Sequence, residues 1–114
     1  MNSGLTEKEA KREEKDYIAN VIEQFSRAHY YPGATQIKVK LIGDKKTGLI
    51  LGAQMVGREG VSKRLDVFAA ALSTKMTVRE VANLDLGYSP PFAPVYDPIL
   101  IAGSELLKKF ENFY

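Results

Sequence analysis

Two strand-like segments joined by a short loop constrain the fold of this 114-residue chain more than any other feature. Residues 36–41 alternate polar and apolar side chains, as a half-buried strand does, and share one apolar face formed by Ile37, Val39 and Leu41. After the loop 44–48, in which glycine comes late, residues 49–56 are almost continuously apolar. Such a run is typical of a strand that is covered on both faces. The pattern predicts a hairpin whose second strand is central in its sheet.

Further elements lie on either side of this hairpin. Residues 17–28 are rich in strand-forming side chains, and residues 60–74 carry apolar side chains at helical spacing. The capping box Thr77–Glu80 starts a short helix, and Asp97-Pro98 starts a last helix that extends to about Phe110. The chain is therefore predicted to be an α+β protein with a small antiparallel β-sheet, of three or more strands, flanked by helices.

The first part of the chain differs in composition from the rest. A capping box, Thr6–Glu9, starts a helix over about 7–15 in which Ala10 is the only apolar residue. A helix without an apolar stripe gains little from packing. We therefore expect residues 1–16 to form a charged helix or tether and residues 17–114 to form the folded domain.

Composition excludes several classes of function. The net charge is only +2, from 16 basic and 14 acidic residues that are interspersed, so no nucleic-acid-binding face is expected. No apolar run approaches the roughly 20 residues that cross a bilayer, and no apolar leader is visible, so a cytoplasmic protein without membrane contact is expected. The chain has no cysteine and one histidine, His29, which leaves no thiol nucleophile and no metal site.

Two apolar features near the end of the chain each allow two interpretations. Prolines stiffen the segment 86–96, which either displays its aromatic side chains to a partner or folds them into its own core. The last helix has a broad apolar arc that includes Ile99, Leu106 and Phe110 on one side and Leu100 and Leu107 beside it. This arc either forms an interface with another molecule or is enclosed within the same fold.

Several ordered motifs carry a resemblance to a known family. They extend over nearly all of residues 5–109 and comprise Gly4-Leu5-Thr6-Glu7-Lys8-Glu9-Ala10, Tyr30-Tyr31-Pro32-Gly33, Thr47-Gly48-Leu49-Ile50-Leu51-Gly52-Ala53-Gln54, Lys63-Arg64-Leu65-Asp66-Val67, Met76-Thr77-Val78, Leu84-Asp85-Leu86-Gly87-Tyr88-Ser89-Pro90-Pro91-Phe92 and Asp97-Pro98. In this order and spacing they resemble the C-terminal dimerisation domain of the pyridine nucleotide-disulfide oxidoreductases. The resemblance is to the coenzyme A disulfide reductase and NADH oxidase branch of that family.

The resemblance implies a homodimer in which this domain docks on the flavin domains of its mate. The parent enzyme would use FAD and NAD(P)H, both bound by domains outside this chain, so the chain would bind no cofactor and would be inactive alone. The resemblance makes Tyr30 and Tyr31 candidates for contact with the partner's active site. The second tyrosine position of the family is occupied by Phe92 here, so Tyr88 or Tyr96 would take its place, and Tyr88 becomes a further candidate. Contacts with the partner's flavin region are assigned to Pro90, Pro91 and Phe92.

The leading hypothesis is therefore a dimerisation and active-site-completing domain, either as part of a longer chain or as a separate subunit. The alternative is a free-standing domain that binds a small ligand or nucleotide between its sheet and the proline-rich segment. Enzymatic activity of the chain by itself is not supported, because no nucleophile–base pair or set of metal ligands is evident.

Overall fold

A four-stranded antiparallel sheet and the helices around it make up the described part of the protein. The structure, a computed structural model, describes residues 2–25, 35–58, 61–84 and 97–111. The elements in chain order are β1 (Asn2–Gly4), α1 (Glu7–Arg12), β2 (Tyr17–Phe25), β3 (Gln36–Asp44), β4 (Ile50–Val56), α2 (Val61–Ser73), α3 (Val78–Ala82) and α4 (Pro98–Glu111). The order of the strands across the sheet is β1-β4-β3-β2. The predicted α+β class and antiparallel sheet are confirmed.

The predicted hairpin is the centre of the sheet. Strands β3 and β4 pair in antiparallel fashion, and β4 lies between β3 and β1, as its continuous apolar sequence indicates. In the connecting loop, the Asp44 carboxylate accepts hydrogen bonds from the amides of Lys46 and Thr47 at 2.8 and 3.2 Å. Gly48 has a φ of +77°, which side chains with a Cβ rarely adopt. The late glycine is therefore required by the backbone of this loop.

The core lies between one face of the sheet and the helices α2, α3 and α4. The predicted inward face of β3 is confirmed, because Ile37, Val39 and Leu41 are all fully buried. On α4, the buried residues of the core are Ile99, Ala102, Leu106 and Phe110. The main apolar side of α4 is thus enclosed within the protomer, as the second interpretation of its sequence predicts.

Helix α1 packs on the opposite face of the sheet. Ala10 and Ile42 are fully buried without belonging to the main core, and Ile42 points away from the inward-facing Leu41 because successive strand residues alternate. The Leu5 backbone crosses directly over Gly52, where an added Cβ would lie 1.9 Å from the Leu5 carbonyl oxygen. Close approach of two backbones therefore fixes α1 to the sheet.

The predicted boundaries that fall on described residues agree with the structure to within a few residues, whereas residues 26–28 of the predicted strand 17–28 lie outside the described residues. Both capping boxes are present. Helix α1 ends at Arg12, earlier than the expected residue 15, because Glu14 adopts a left-handed φ of 57°. Strand β1 was not predicted; its residues Asn2–Gly4 pair with Gly52–Gln54 of β4. A domain boundary at residue 16 stays a prediction.

The free long edge of the sheet is that of β2 in the described residues. Helix α4 lies over β2 and β3, and the Lys109 ammonium donates a hydrogen bond of 2.9 Å to the Ala19 carbonyl oxygen. Among the described residues, no helix has the length and apolar character needed to span a bilayer.

Candidate functional site

The residues that the resemblance assigns to the site lie outside the described residues. They belong to the segments 26–34 and 85–96, and are Tyr30, Tyr31, Tyr88, Pro90, Pro91 and Phe92. Their roles stay predictions, as does the display or burial of the proline-rich aromatic side chains. The ligand pocket that the alternative hypothesis places between the sheet and the proline-rich segment also depends on these residues. The described residues do show where the two segments leave and re-enter the fold.

The two segments are bounded by four described residues, Phe25, Thr35, Leu84 and Asp97, and three of these lie on the same side of the domain. Phe25 and Thr35 bound the segment between β2 and β3, and Gly57 follows β4 at the same end of the sheet, which we call the β2–β3 end. A Cβ added at Gly57 would lie 3.1 Å from Ile37 and 3.2 Å from Val61, so α2 also begins there. Near the start of α2, Arg64 donates a hydrogen bond to Asp97, which is the residue directly after the second segment. Both segments thus meet the fold at the β2–β3 end.

A buried ion pair fixes the point where the second segment re-enters the fold. The Arg64 Nε donates to both carboxylate oxygens of Asp97, at 3.0 and 3.2 Å, and only 1% of Arg64 and 5% of Asp97 are exposed. The same carboxylate accepts a hydrogen bond from the Ile99 amide at 3.0 Å, which confirms the predicted N-cap of α4. Burial lowers the pKa of the neighbouring Lys63 ammonium, and the charge of Arg64 lowers it further, while Asp97 raises it. Asp97 therefore joins α2 to the start of α4.

The sheet surface at the β2–β3 end is open and mixed in character. A shallow cavity of about 530 Å³ is lined there by residues of β2, β3 and β4, among them Glu23, Lys38 and Val56. Val56 and Val21 are 70% and 51% exposed, whereas most large apolar side chains in the described residues are covered. This surface combines apolar contact area with the charged side chains Glu23, Lys38 and Arg58. A protein partner could cover it more readily than a small polar ligand.

A polar cluster holds α1 against the sheet beside this surface. The Tyr17 hydroxyl donates to Glu7 Oε2 at 2.9 Å, and the Lys40 ammonium donates to Glu7 Oε1. The hydrogen bond from Lys40 is the main cause that lowers the pKa of Glu7, and the bond from Tyr17 adds to it. Partial burial raises the pKa of the Tyr17 phenol, as does its bond to Glu7. The cluster is explained by its structural role.

No catalytic arrangement is evident within the described part of the chain. There, no three carboxylate or imidazole side chains are grouped so that they could hold a metal ion. Every buried side-chain nitrogen or oxygen in that part has a hydrogen-bond partner.

Comparison with known proteins assigns the family. The family model for the pyridine nucleotide-disulphide oxidoreductase dimerisation domain matches residues 2–98. The chain belongs to this family. It is 42% identical over 99 residues to an NAD(P)H sulfur oxidoreductase (CoA-dependent) of Pyrococcus abyssi, a match that covers 87% of this chain and 22% of the relative. A coenzyme A disulfide reductase of Staphylococcus aureus is 35% identical over 88 residues, which are 77% of this chain and 20% of that protein.

Solved structures of family members have the same fold. An NAD-dependent persulfide reductase of A. fulgidus superposes with a TM-score of 0.94 at 38% identity, over 99% of this chain and 21% of the other. The resemblance to the coenzyme A disulfide reductase and NADH oxidase branch is therefore confirmed. The chain spans about a fifth of the length of the relatives it matches. In those relatives the dimerisation domain is one part of a larger enzyme.

Sequence reasoning identified Asp97 but missed its partner. Arg64 lies three residues after Val61 and four before Phe68, so helical spacing places it on the buried face of α2. An arginine on such a face needs a buried counter-charge. Asp97, the N-cap residue of α4, is a candidate for this counter-charge because only one of its carboxylate oxygens is needed for the cap.

Proposed function

We propose that this chain is the dimerisation and active-site-completing part of an FAD- and NAD(P)H-dependent disulfide reductase of the coenzyme A disulfide reductase and NADH oxidase type. It would act in the cytoplasm as a homodimer and would be inactive alone. The observation that carries this proposal is the family match over residues 2–98 in a chain that corresponds to a fifth of the matched NAD(P)H enzyme. The remaining four fifths of such an enzyme would supply the redox centre.

The geometry at the β2–β3 end supports a role for the two segments. Both meet the fold there, so a partner docked at this end would contact residues from both. We propose that Tyr30, Tyr31 and Tyr88 act on the partner's active site. A phenol suits contact with a thiolate because its O–H can donate a hydrogen bond and stays protonated near neutral pH. In the same proposal, Pro90, Pro91 and Phe92 contact the partner's flavin region.

The residues of this chain do not fit a site of their own for FAD or NAD(P)H. The sequence has no Gly-x-Gly-x-x-Gly turn between a strand and a helix, and it has no cysteine for the thiol chemistry. Other domains of the parent enzyme would therefore hold both cofactors, which supply the hydride and electron transfer. The contribution of this chain would be to position side chains and to exclude water at the partner's site.

Sedimentation equilibrium over a range of concentrations tests the dimerisation proposal. We expect the 114-residue chain to associate with itself or with a separately produced flavin- and nicotinamide-binding portion of the P. abyssi relative. The substitution Val56→Glu places a charge on the exposed sheet surface and should weaken association without unfolding the chain. Lys75→Glu, on an exposed turn after α2, is the control. A strict monomer that also fails to bind the flavin-domain portion would refute the proposal.

A chimera tests the tyrosine roles. In the P. abyssi relative, the 99 matched residues are replaced by the matching residues of this chain, and CoA-dependent sulfur reduction by NAD(P)H is measured. We expect Tyr31→Phe, Tyr30→Phe or Tyr88→Phe to lower kcat while flavin content and dimerisation stay unchanged. Tyr17→Phe is the matched control, because the Tyr17 hydroxyl is bonded to Glu7 within the protomer. Full activity in the chimera with all three candidate hydroxyls removed would rule out their proposed role.

A further inference from the structure

A cationic cavity lies at the end of the domain opposite the β2–β3 end. Its volume is about 580 Å³, and its lining includes the cationic side chains Lys45, Lys46 and Arg79 and the apolar side chains Val78, Leu107 and Phe110. Strand β3 runs from Gln36 to Asp44 between the two ends, a separation of about 26 Å at the usual rise per strand residue. The cavity is therefore separate from the surface assigned to the partner.

The loop that forms one wall of this cavity is fixed by its own hydrogen bonds. Each amide from Lys45 to Leu49 has an acceptor within the protein, supplied by Asp16, by Asp44 or by the Thr47 hydroxyl. The Gly48 carbonyl accepts from the Val78 amide at 2.8 Å, which joins the loop to α3. Because the amides are occupied, a ligand would be recognised by side chains. The fixed loop reduces the entropy lost when those side chains bind.

The charges around the cavity favour an anion. Of the two nearest carboxylates in sequence, Asp44 accepts the amide protons of Lys46 and Thr47, and Glu80 accepts that of Thr77 at 2.9 Å. Neither carboxylate lines the cavity. Lys45 and Arg79 each have a further interaction within the protein. Among the described residues, three cationic side chains and no carboxylate line the cavity, which gives it a cationic wall over an apolar floor.

We propose that this cavity binds a phosphate monoester that carries a flat apolar group, of the size of a mononucleotide. The phosphate would contact Lys46 and Arg79, and the apolar group would lie on Leu107 and Phe110. A volume of this size is within the range of small-ligand sites. The site belongs to one protomer and lies away from the partner surface, so it does not depend on the proposed function.

Titration of the isotopically labelled chain by NMR tests the site, with AMP, adenosine and inorganic phosphate as the probes. We expect AMP to bind with a Kd of about 1 mM or below and to shift amide signals of residues 45–48, 77–79 and 107–110. Adenosine and inorganic phosphate should each bind at least roughly tenfold more weakly, because each lacks one of the two recognised parts. Equal affinity for AMP and either fragment, or no saturable shift up to 10 mM (about ten times that Kd), would overturn the proposal.

Charge-reversal variants distinguish binding of AMP in the cavity from nonspecific electrostatic attraction of AMP to the protein. Lys46→Glu and Arg79→Glu should each weaken AMP binding by roughly tenfold or more. Lys38→Glu makes the same change in net charge near the β2–β3 end and should leave the affinity within about twofold, since the cavity is beyond a Debye length of about 8 Å. An equal loss of AMP affinity in all three variants would overturn the proposal. Sedimentation of the same samples reports dimerisation separately, so failure here leaves the proposed function intact.

Discussion

The buried pair of Arg64 and Asp97 should be one of the largest single polar contributions to the stability of this chain. Removing one partner of a buried ion pair leaves an uncompensated charge and costs about 3–5 kcal/mol. Asp97→Asn keeps an oxygen that can accept the Ile99 amide proton, so it tests the charge while it preserves the N-cap. We expect Asp97→Asn and Arg64→Met each to lower the free energy of unfolding by about 3 kcal/mol or more.

Urea unfolding followed by far-UV circular dichroism measures this cost. With a typical m-value of about 1.5 kcal/mol per molar urea, a loss of 3 kcal/mol moves the midpoint down by about 2 M. The double variant Arg64→Met/Asp97→Asn should lose clearly less than the sum of the single losses, because the two charges that pair with each other are then removed together. Lys108→Met is the matched control, because Lys108 and Glu105 form an exposed ion pair in which the side chains are 68% and 43% exposed, respectively. This substitution should lower the free energy of unfolding by less than about 1 kcal/mol.

Two results would refute this reasoning. One is a cost for Asp97→Asn no greater than that for Lys108→Met, which would mean that solvent or the other interactions of Arg64 within the protein compensate its charge. The other is additivity of the two single substitutions to within about 0.5 kcal/mol, which would mean that the two side chains contribute independently.

Four further substitutions test other contacts. Because the pKa of Glu7 is lowered in the folded chain, its carboxylate stabilises the fold above about pH 4.5, and this stabilisation is lost as the pH decreases further. Glu7→Gln should therefore lower the free energy of unfolding by roughly 0.5 kcal/mol at pH 7. In an acid denaturation series, the difference between this variant and the unsubstituted chain should disappear at low pH. Gly52→Ala should lower the free energy of unfolding by roughly 1–3 kcal/mol, and it should speed hydrogen exchange at the Leu5 amide, which donates to the Leu51 carbonyl. Gly48→Ala is the control: it should also destabilise the chain, because of the positive φ at this position, but it should not change exchange at Leu5. Thr77→Ala removes the oxygen that accepts the Glu80 amide proton and should cost about 1 kcal/mol in urea unfolding, and unchanged stability would show that this cap is replaced by water.

The sequence predicted those parts of the fold that have a local pattern. Alternation in β3 and the continuous apolar run of β4 indicated a central hairpin, and Asp97-Pro98 indicated the start of α4, because each signal lies within a few consecutive residues. Strand β1 could not be predicted, since Asn2–Gly4 has no strand-forming composition and is held by pairing with β4. The position of α1 depends on a backbone contact at Gly52, which a hydrophobicity pattern does not encode.

The candidate site was less predictable than the fold. The assignment of Tyr30, Tyr31 and Tyr88 came from family resemblance, because a tyrosine in a loop has no periodicity that indicates its environment. Arg64 was detectable in principle from its place on the buried face of α2, which it shares with Val61 and Phe68. The cationic cavity combines residues from a hairpin loop and two helices, so only the tertiary structure brings them together.

The contact between Lys109 and the β2 backbone has a consequence for assembly. An unpaired strand edge invites β-sheet extension by another chain, and proteins commonly block such edges with lysine. Here the Lys109 ammonium occupies an outward carbonyl of β2, at Ala19, and would have to be displaced before a foreign strand could pair. The proposed dimer is therefore expected to form through side-chain surfaces, and a single sheet shared between two copies should not form.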